Sequence, residues 1–295
     1  MVNLPQNAKV LYDYLRQALS QSHDPDCADL DARLILEKRA GVTYIDLLTQ
    51  SSATLSDAQL EHIQSDLALR LKGMPIAKIY GEKEFWGRAF AVSEDVLDPR
   101  PDTESIIEAV LKWYKANAAH YASRPLRILD IGTGSGCIVI TLLKEIAEAE
   151  AVAADYSWPA LMVARQNADR HDVVNRLSFV QGDYISAFGH DSFDLIVTNP
   201  PYIPHADITN LSESVKNYDP ILALDGGIDG LDPYKKIFIS IKNNLRPNGR
   251  LFLECGFDQI EAINRIGINL GTNLERIIYD LGGHARGGEF SCGDK

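Results

Sequence analysis

Asp194-Leu195-Ile196-Val197-Thr198-Asn199-Pro200-Pro201-Tyr202 reads as a strand that ends abruptly. Leu195 to Val197 is a short apolar run with two β-branched residues, the pattern of a buried strand. Neither proline can donate a ladder N–H, so the chain must leave the sheet after Asn199. Residues before proline are pushed toward extended backbone, and both Asn199 and Pro200 are expected to be extended. That frees the Asn199 amide and the Pro200 carbonyl to point outward, with Tyr202 beside them. Two acceptors and an aromatic face suit a planar group bearing an NH2, either a side-chain amide or the exocyclic amine of a base. Asn199, Pro200 and Tyr202 are therefore candidate catalytic residues, and Asn199, Pro200, Pro201 and Tyr202 candidate substrate contacts. Alone, the tetrapeptide is a weak motif, since a proline-rich turn after an edge strand would read the same way.

Outward from this stretch, strands and helices alternate. Strands are expected at 127–131, 151–154, 177–180, 195–197, 250–254 and 276–279, and helices at 136–148, 159–169, 232–245 and 258–270. This pattern predicts an α/β fold, a parallel sheet with helices on both faces. Ligands in such sheets bind beyond the carboxyl ends of the strands, where the strand order reverses.

Residues 1–80 have a different character. Val10, Tyr14, Leu15, Ala18 and Leu19 recur near helical spacing, as do Leu30, Arg33, Leu34 and Leu36 before Gly41. Ser56-Asp57 caps a third helix with Leu60, Ile63, Leu67 and Leu71 on one face, stopped by Gly73 and Pro75. This is a small helical bundle whose role is either packing or holding a protein substrate. Short alternating runs around Gly81 and Gly87 form a hairpin linker over 81–98, and the α/β domain occupies 99–295. Within Arg100-Pro101-Asp102-Thr103-Glu104, Asp102 is expected to cap the helix that runs to Trp113, with Glu104 in its first turn.

A net charge of −12 over 295 residues, with a pI near 5.0, argues against a general grip on nucleic acid, which needs a basic face. The stretch from Met1 to Ser20 has no signal-peptide core, and no apolar run approaches the ~20 residues that span a bilayer. The four cysteines, Cys27, Cys137, Cys255 and Cys292, are far apart, so neither a disulfide framework nor a metal site is expected. A cytoplasmic location without membrane attachment follows as the expectation.

The first strand of the α/β region runs into Asp130-Ile131-Gly132-Thr133-Gly134-Ser135-Gly136-Cys137. Glycines allow a tight turn and let a ligand press against bare N–H groups. A dinucleotide is one candidate ligand, but its usual fingerprint separates the second and third glycines by two residues, and here one residue separates them. Asp130, two residues before Gly132, would repel a pyrophosphate and suit a cationic ligand. Asp155 ends the second strand, where a carboxylate can accept from both ribose hydroxyls. Asp183-Tyr184 follows the third strand and could meet an adenine amino group and ring. In series, these strand ends describe S-adenosylmethionine laid across a sheet, with an NH2 acceptor site waiting at its methyl. Gly132, Thr133, Gly134, Ser135, Gly136, Asp155, Asp183, Tyr184 and Asn199 are the candidate cofactor contacts.

The glycine loop, Asp155, Asp183 and the Asn199–Tyr202 turn resemble the class I S-adenosylmethionine-dependent methyltransferases that modify planar NH2 groups. Three further stretches narrow the resemblance: 99–104, Asp219-Pro220-Ile221-Leu222-Ala223-Leu224-Asp225-Gly226-Gly227, and Asp229-Gly230-Leu231. With them nearly the whole chain is similar to the protein-(glutamine-N5) methyltransferases of peptide chain release factors, the PrmC/HemK family. The resemblance implies a Rossmann-like methyltransferase domain, a substrate-binding N-terminal domain, and methylation of the glutamine side chain in a Gly-Gly-Gln loop of release factors. It assigns Gly132 to Gly136, Asp155, Tyr184 and Asn199 to cofactor contact, and Asn199 through Tyr202 to the glutamine amide. Two departures stand out. Asp219 occupies a position where glutamate is expected, and 287–292 lacks a clean apolar strand, so the last antiparallel edge strand is expected to be short or frayed.

An amide nitrogen is a poor nucleophile because its lone pair is delocalised into the carbonyl. Asn199 and the Pro200 carbonyl are expected to bind both its hydrogens and aim it at the methyl group. His205 is expected to be a surface loop residue and not a base. The alternative reading is an adenine N6 or guanine N2 methyltransferase, which would need a basic groove that the acidic balance disfavours. A nicotinamide-dependent oxidoreductase and a non-catalytic scaffold are the remaining rivals.

Overall fold

The computed structural model describes residues 4–22, 24–49, 53–184, 189 and 191–292. The chain divides into two units, the first comprising Met1–Gly81 with Asn210–Tyr218, the second Glu82–Thr209 with Asp219–Lys295.

The first unit holds α1 (Ala8–Leu19), α2 (Ala28–Ala40), α3 (Tyr44–Leu48), α4 (Asp57–Leu71), α5 (Ile76–Tyr80) and, from much later in the chain, α9 (Glu213–Tyr218). Ser56 caps α4 in a reciprocal box with Gln59, and Gly41 closes α2 in the left-handed conformation. The buried stripe of α1 is Leu11, Leu15 and Leu19, and that of α2 includes Ala32, Ile35 and Leu36. Val10, Leu30 and Leu71, expected inside, are exposed. One residue turns a helix by ~100°, so a stripe that shares Leu15 and Leu19 can still be misplaced at its other members. The Asp66 carboxylate, buried among these helices, accepts from Arg39 at 2.6 and 2.8 Å and from the Tyr80 hydroxyl at 2.7 Å. These donors offset the cost of burying its charge.

The second unit begins with a hairpin, β1 (Glu82–Phe85) and β2 (Arg88–Ala91), whose Trp86-Gly87 turn has positive φ at both residues, as a two-residue type I′ loop requires. Asn167 grips β2 by accepting from Ala91 N at 2.7 Å and donating to Ala91 O at 3.0 Å. A 3₁₀ turn, Pro101–Thr103, then precedes α6 (Glu104–Asn117). Asp102 is therefore inside a turn and not the N-cap. Pro101 starts the turn early, and the Asp102 carboxylate lies 3.1 Å from Arg286. Glu104 accepts from the Trp86 N–H at 2.8 Å.

The alternating elements follow: β3 (Arg127–Ile131), α7 (Cys137–Glu145), β4 (Glu150–Asp155), α8 (Trp158–Arg170), β5 (Leu177–Gln181), β6 (Phe193–Thr198), α10 (Asp232–Asn244), β7 (Leu245–Glu254), α11 (Ile260–Asn269), β8 (Thr272–Tyr279) and β9 (Ala285–Cys292). They form a seven-stranded sheet in the order β5-β4-β3-β6-β7-β9-β8. The first five strands are parallel, and β9 runs antiparallel to both β7 and β8. Because strand side chains alternate faces, β3 sends Ile128 to one core and Leu129 and Ile131 to the other. Ile106, Val110 and Trp113 of α6 and Leu142 of α7 fill the first core. Tyr234, Ile237 and Phe238 of α10 and Ile263 of α11 fill the second. The order reverses between β3 and β6, and β6 there is buried at every position. Among the described residues no helix is long and apolar enough to cross a membrane.

The expectation of a short or frayed edge strand at the end does not hold. β9 spans eight residues and lies between β7 and β8, with Phe290 fully buried. Its sequence hides this because Gly287 and Gly288 take positions where an apolar side chain would not fit. A Cβ on Gly287 would stand 2.2 Å from Leu253 O and 2.7 Å from Ile106 Cδ1. Glu289, the acidic residue of the strand, lies 2.9 Å from Arg276 and 3.4 Å from Arg250. Residues 293–295 lie outside the described residues.

Candidate active site

A cavity of about 870 Å³ opens where the strand order reverses, beyond the carboxyl ends of β3, β4, β5 and β6. Its wall includes Gly132, Thr133, Gly134, Ser135, Asp155, Asp183, Tyr184, Asn199, Pro200 and Pro201. Residues from four separate stretches of sequence therefore face one space. Gly136 and Tyr202 are not part of that wall.

The loop after β3 is shaped by its own bonds. Gly132 and Thr133 donate to Ala154 O at 2.8 and 3.1 Å, Gly136 to Thr133 O at 2.8 Å, and Gly134 to Asp155 Oδ2 at 2.9 Å. The bare N–H groups expected of this loop are thus mostly engaged within the protein. What the glycines supply is backbone at positive φ, 69° at Gly132 and 54° at Gly134. Gly136 serves packing: a Cβ there would come within 2.8 Å of Ile140 Cδ1 and 3.2 Å of the Ala164 Cβ. Asn167 braces the loop from behind, donating to Ser135 O at 2.8 Å.

Asp130 lies under the loop, fully buried and outside the cavity wall, so the expected direct pairing with a cationic ligand is absent. It accepts from the Thr133 hydroxyl at 2.7 Å with Oδ2. Burial pushes its carboxyl up to about 7. Asp155 accepts from Gly134 N with Oδ2 and from Ser157 N at 2.8 Å with Oδ1. A carboxylate offers about four lone-pair sites, so each oxygen keeps one acceptor position for a ligand hydroxyl. Tyr184 sits at φ 54°, and burial raises its phenol to about 12. Lys236, which the sequence reading missed, joins the wall here with its ammonium 5.0 Å from the Tyr184 ring centre and 3.4 Å from Asp183 Oδ2.

Past β6, the Asn199 amide is not loose. Its Nδ2 donates to Thr103 Oγ1 at 3.3 Å, and its side chain favours the ionised form of the neighbouring Glu254 carboxyl. Thr103 Oγ1 donates to Glu254 Oε2 at 2.6 Å. Glu254 ends β7 beside β6, is 1% exposed, and is pushed up to about 7 by burial. Sequence reasoning did not find this pair, whose members are 151 residues apart. The available signal was an acid closing an apolar strand next to the Asn199 strand.

The chain after Asn199 is pinned along its backbone. Ile203 N donates to Leu224 O at 3.0 Å and Gly226 N to Ile203 O at 2.9 Å, while Gln259 Nε2 donates to Tyr202 O at 2.9 Å. A Cβ on Gly230 would stand 2.4 Å from Tyr202 O, and one on Gly226 2.9 Å from Pro201 O. Close backbone packing is thus what the glycines of 226–230 allow. Tyr202 packs against the core that α10 and α11 cover, and burial raises its phenol to about 12. Asp219 is bound by Arg100 at 2.6 Å, so the shorter acid still reaches its partner. His205 is exposed, with Nδ1 2.7 Å from Asp225 Oδ2, and does not line the cavity.

Residues 118–217 match the family model described as methyltransferase small domain, and residues 11–81 match the PrmC N-terminal domain. The chain is 39% identical over 261 residues to the release factor glutamine methyltransferase of Caulobacter vibrioides, covering 88% of each protein. It is 41% identical over 239 residues to the release factor glutamine methyltransferase of Bradyrhizobium diazoefficiens, covering 81% of this chain and 79% of that one. It is also 35% identical over 295 residues to the bifunctional methyltransferase of Rickettsia typhi, covering 94% of this chain and 57% of that one.

Proposed function

The chain belongs to the release factor glutamine methyltransferase family, and from that premise we propose that it methylates the N5 side-chain nitrogen of the glutamine in the Gly-Gly-Gln loop of a peptide chain release factor. The observation that carries this reading is that one cavity wall joins the glycine loop and Asp155 to Asn199-Pro200-Pro201. A cofactor subsite and an acceptor subsite therefore share a single space. The donor set fits S-adenosylmethionine: spare acceptor positions on Asp155 for ribose hydroxyls, and the Tyr184 ring for an adenine. When bound, S-adenosylmethionine supplies an electrophilic methyl group on a sulfonium.

The residues of this chain supply position and polarity. Asn199 Oδ1 and the Pro200 carbonyl accept the two N–H hydrogens of the glutamine amide and hold its nitrogen in line with the methyl. Well-placed reactants can lower a barrier by several kcal/mol. Accepting from those N–H groups also favours the positive charge that grows on nitrogen as it bonds to carbon. With S-adenosylmethionine bound, the nitrogen held by Asn199 and Pro200 would gain the methyl and lose one amide proton to water, and the sulfonium would be left as a neutral thioether.

The test is transfer of label from S-adenosylmethionine to a purified release factor, beside a factor whose loop glutamine is replaced by alanine. Label on the unmodified factor alone supports the reading. Label on neither, with cofactor binding intact, overturns it and points to adenine or guanine amino groups.

A further inference from the structure

We infer that Thr103 and Glu254 act together as the positioning pair that fixes which end of the Asn199 amide faces the substrate, and thereby make this site an acceptor of N–H groups. The inference rests on the proposed reaction and concerns how its acceptor subsite is built. A side-chain amide presents an oxygen or an NH2 according to a half-turn about one bond, and only its surroundings decide which. Around Asn199 they are asymmetric. Its Nδ2 faces the Thr103 hydroxyl at 3.3 Å and the Glu254 carboxylate. The Thr103 proton is committed to Glu254 Oε2 at 2.6 Å, so the hydroxyl offers Asn199 only lone pairs. With Glu254 ionised, two acceptors thus meet the amide on one side, and neither is a donor that could satisfy its oxygen. The NH2 is held inward, and Oδ1 has no protein partner among the described residues.

The arrangement explains a buried acid that the reaction does not otherwise use. When ionised, the Glu254 carboxylate is acceptor-only, and flanked by Asn199 and Thr103 it then rejects the reversed amide. The selection extends to the substrate. With Oδ1 outward beside the Pro200 carbonyl, a glutamine amide finds acceptors for its hydrogens, whereas a glutamate carboxylate would meet only lone pairs.

The experiment compares Thr103→Val, Thr103→Ser and Glu254→Gln with the unmodified enzyme. It measures kcat and KM for the release factor, and the Kd for S-adenosylmethionine by calorimetry. Thr103→Val removes the hydroxyl at near-constant shape. Glu254→Gln introduces a donor that rewards the reversed amide. The expected result is a fall in kcat of about tenfold or more in both, with the Kd for S-adenosylmethionine within about threefold, and recovery of most of that loss in Thr103→Ser. A smaller fall in Thr103→Val, or a Thr103→Ser enzyme no better than Thr103→Val, overturns the inference. Should Glu254→Gln fail to fold, the two Thr103 variants decide the matter. If the unmodified enzyme binds S-adenosylmethionine but leaves the factor unlabelled, the substrate reading fails, and this inference with it. A methylating wild type with indifferent variants sinks the inference alone.

Discussion

Replacing Asp155 by asparagine keeps the shape of the side chain and turns one of its two acceptor oxygens into a donor. In the structure both oxygens are already in use, Oδ2 by Gly134 N at 2.9 Å and Oδ1 by Ser157 N at 2.8 Å. The asparagine can satisfy one of these N–H groups and must turn its own NH2 toward the other. It therefore loses a loop contact and one of the two acceptor positions proposed for ribose hydroxyls. A hydrogen bond to a charged group contributes roughly 1.5–3 kcal/mol, and the remaining one falls to neutral strength. Together these losses amount to about 2–4 kcal/mol of cofactor binding. At about 1.4 kcal/mol per tenfold, the Kd for S-adenosylmethionine should rise roughly 30- to 700-fold. Because burial already raises the Asp155 carboxyl, removing its charge should not by itself unfold the protein. Calorimetric titration of the variant with S-adenosylmethionine, alongside a thermal melt, gives the answer. A Kd within about threefold of the unmodified protein, with the melt unchanged, would refute the assignment of Asp155 to the ribose.

Asn199→Ala should lower turnover on a release factor far more than it weakens cofactor binding, which steady-state rates and calorimetry would separate; equal losses in both would contradict the acceptor role. Gly230→Ala forces a Cβ to within 2.4 Å of Tyr202 O at a φ of 72°, and should cost about 2–3 kcal/mol, seen as a fall in Tm of roughly 5–10 °C. Asp130 and Glu254 both titrate near 7 in the folded protein, above their ordinary 3.8 and 4.5. The folded state therefore binds more protons than the unfolded chain below about pH 7, and stability should rise as pH falls from about 8 to about 6.5. Below that range His171, held under its usual value by burial, works in the opposite direction. Asp130→Asn should flatten the slope of Tm against pH, and an unchanged slope would show that Asp130 is not its source.

Much of the cavity wall was legible because those parts lie within a few residues of a strand end, where local pattern carries the information. Asn199, Asp155 and the glycine loop were found this way, and the position of the cavity followed from the alternation of strands and helices. What local pattern cannot report is which way a backbone turns after a pair of prolines, and so Tyr202, expected at the cavity, is half-buried against the core beside the cavity wall. Nor can it report that Thr103 and Glu254 meet across 151 residues, since neither residue type is unusual in its own surroundings. β9 escaped for a related reason. Gly287 answers to Ile106 and Leu253, and Gly288 to Leu274 and Ile260 as well as Phe290, most of them distant in sequence, so the pair looks like a loop when read alone.

The position of β9 also constrains how this protein can assemble. β8 is earlier in the chain, yet in the sheet order it pairs only with β9, so it joins the sheet only through β9. The two strands pair as a hairpin across the 280–284 turn, and until that hairpin docks β7 presents an unsatisfied edge. A chain broken in that turn would lose two strands from the sheet at once. The exposed edge of β7 would then lie beside the core face that α10 and α11 protect, an edge open to pairing with other chains when folding is slow.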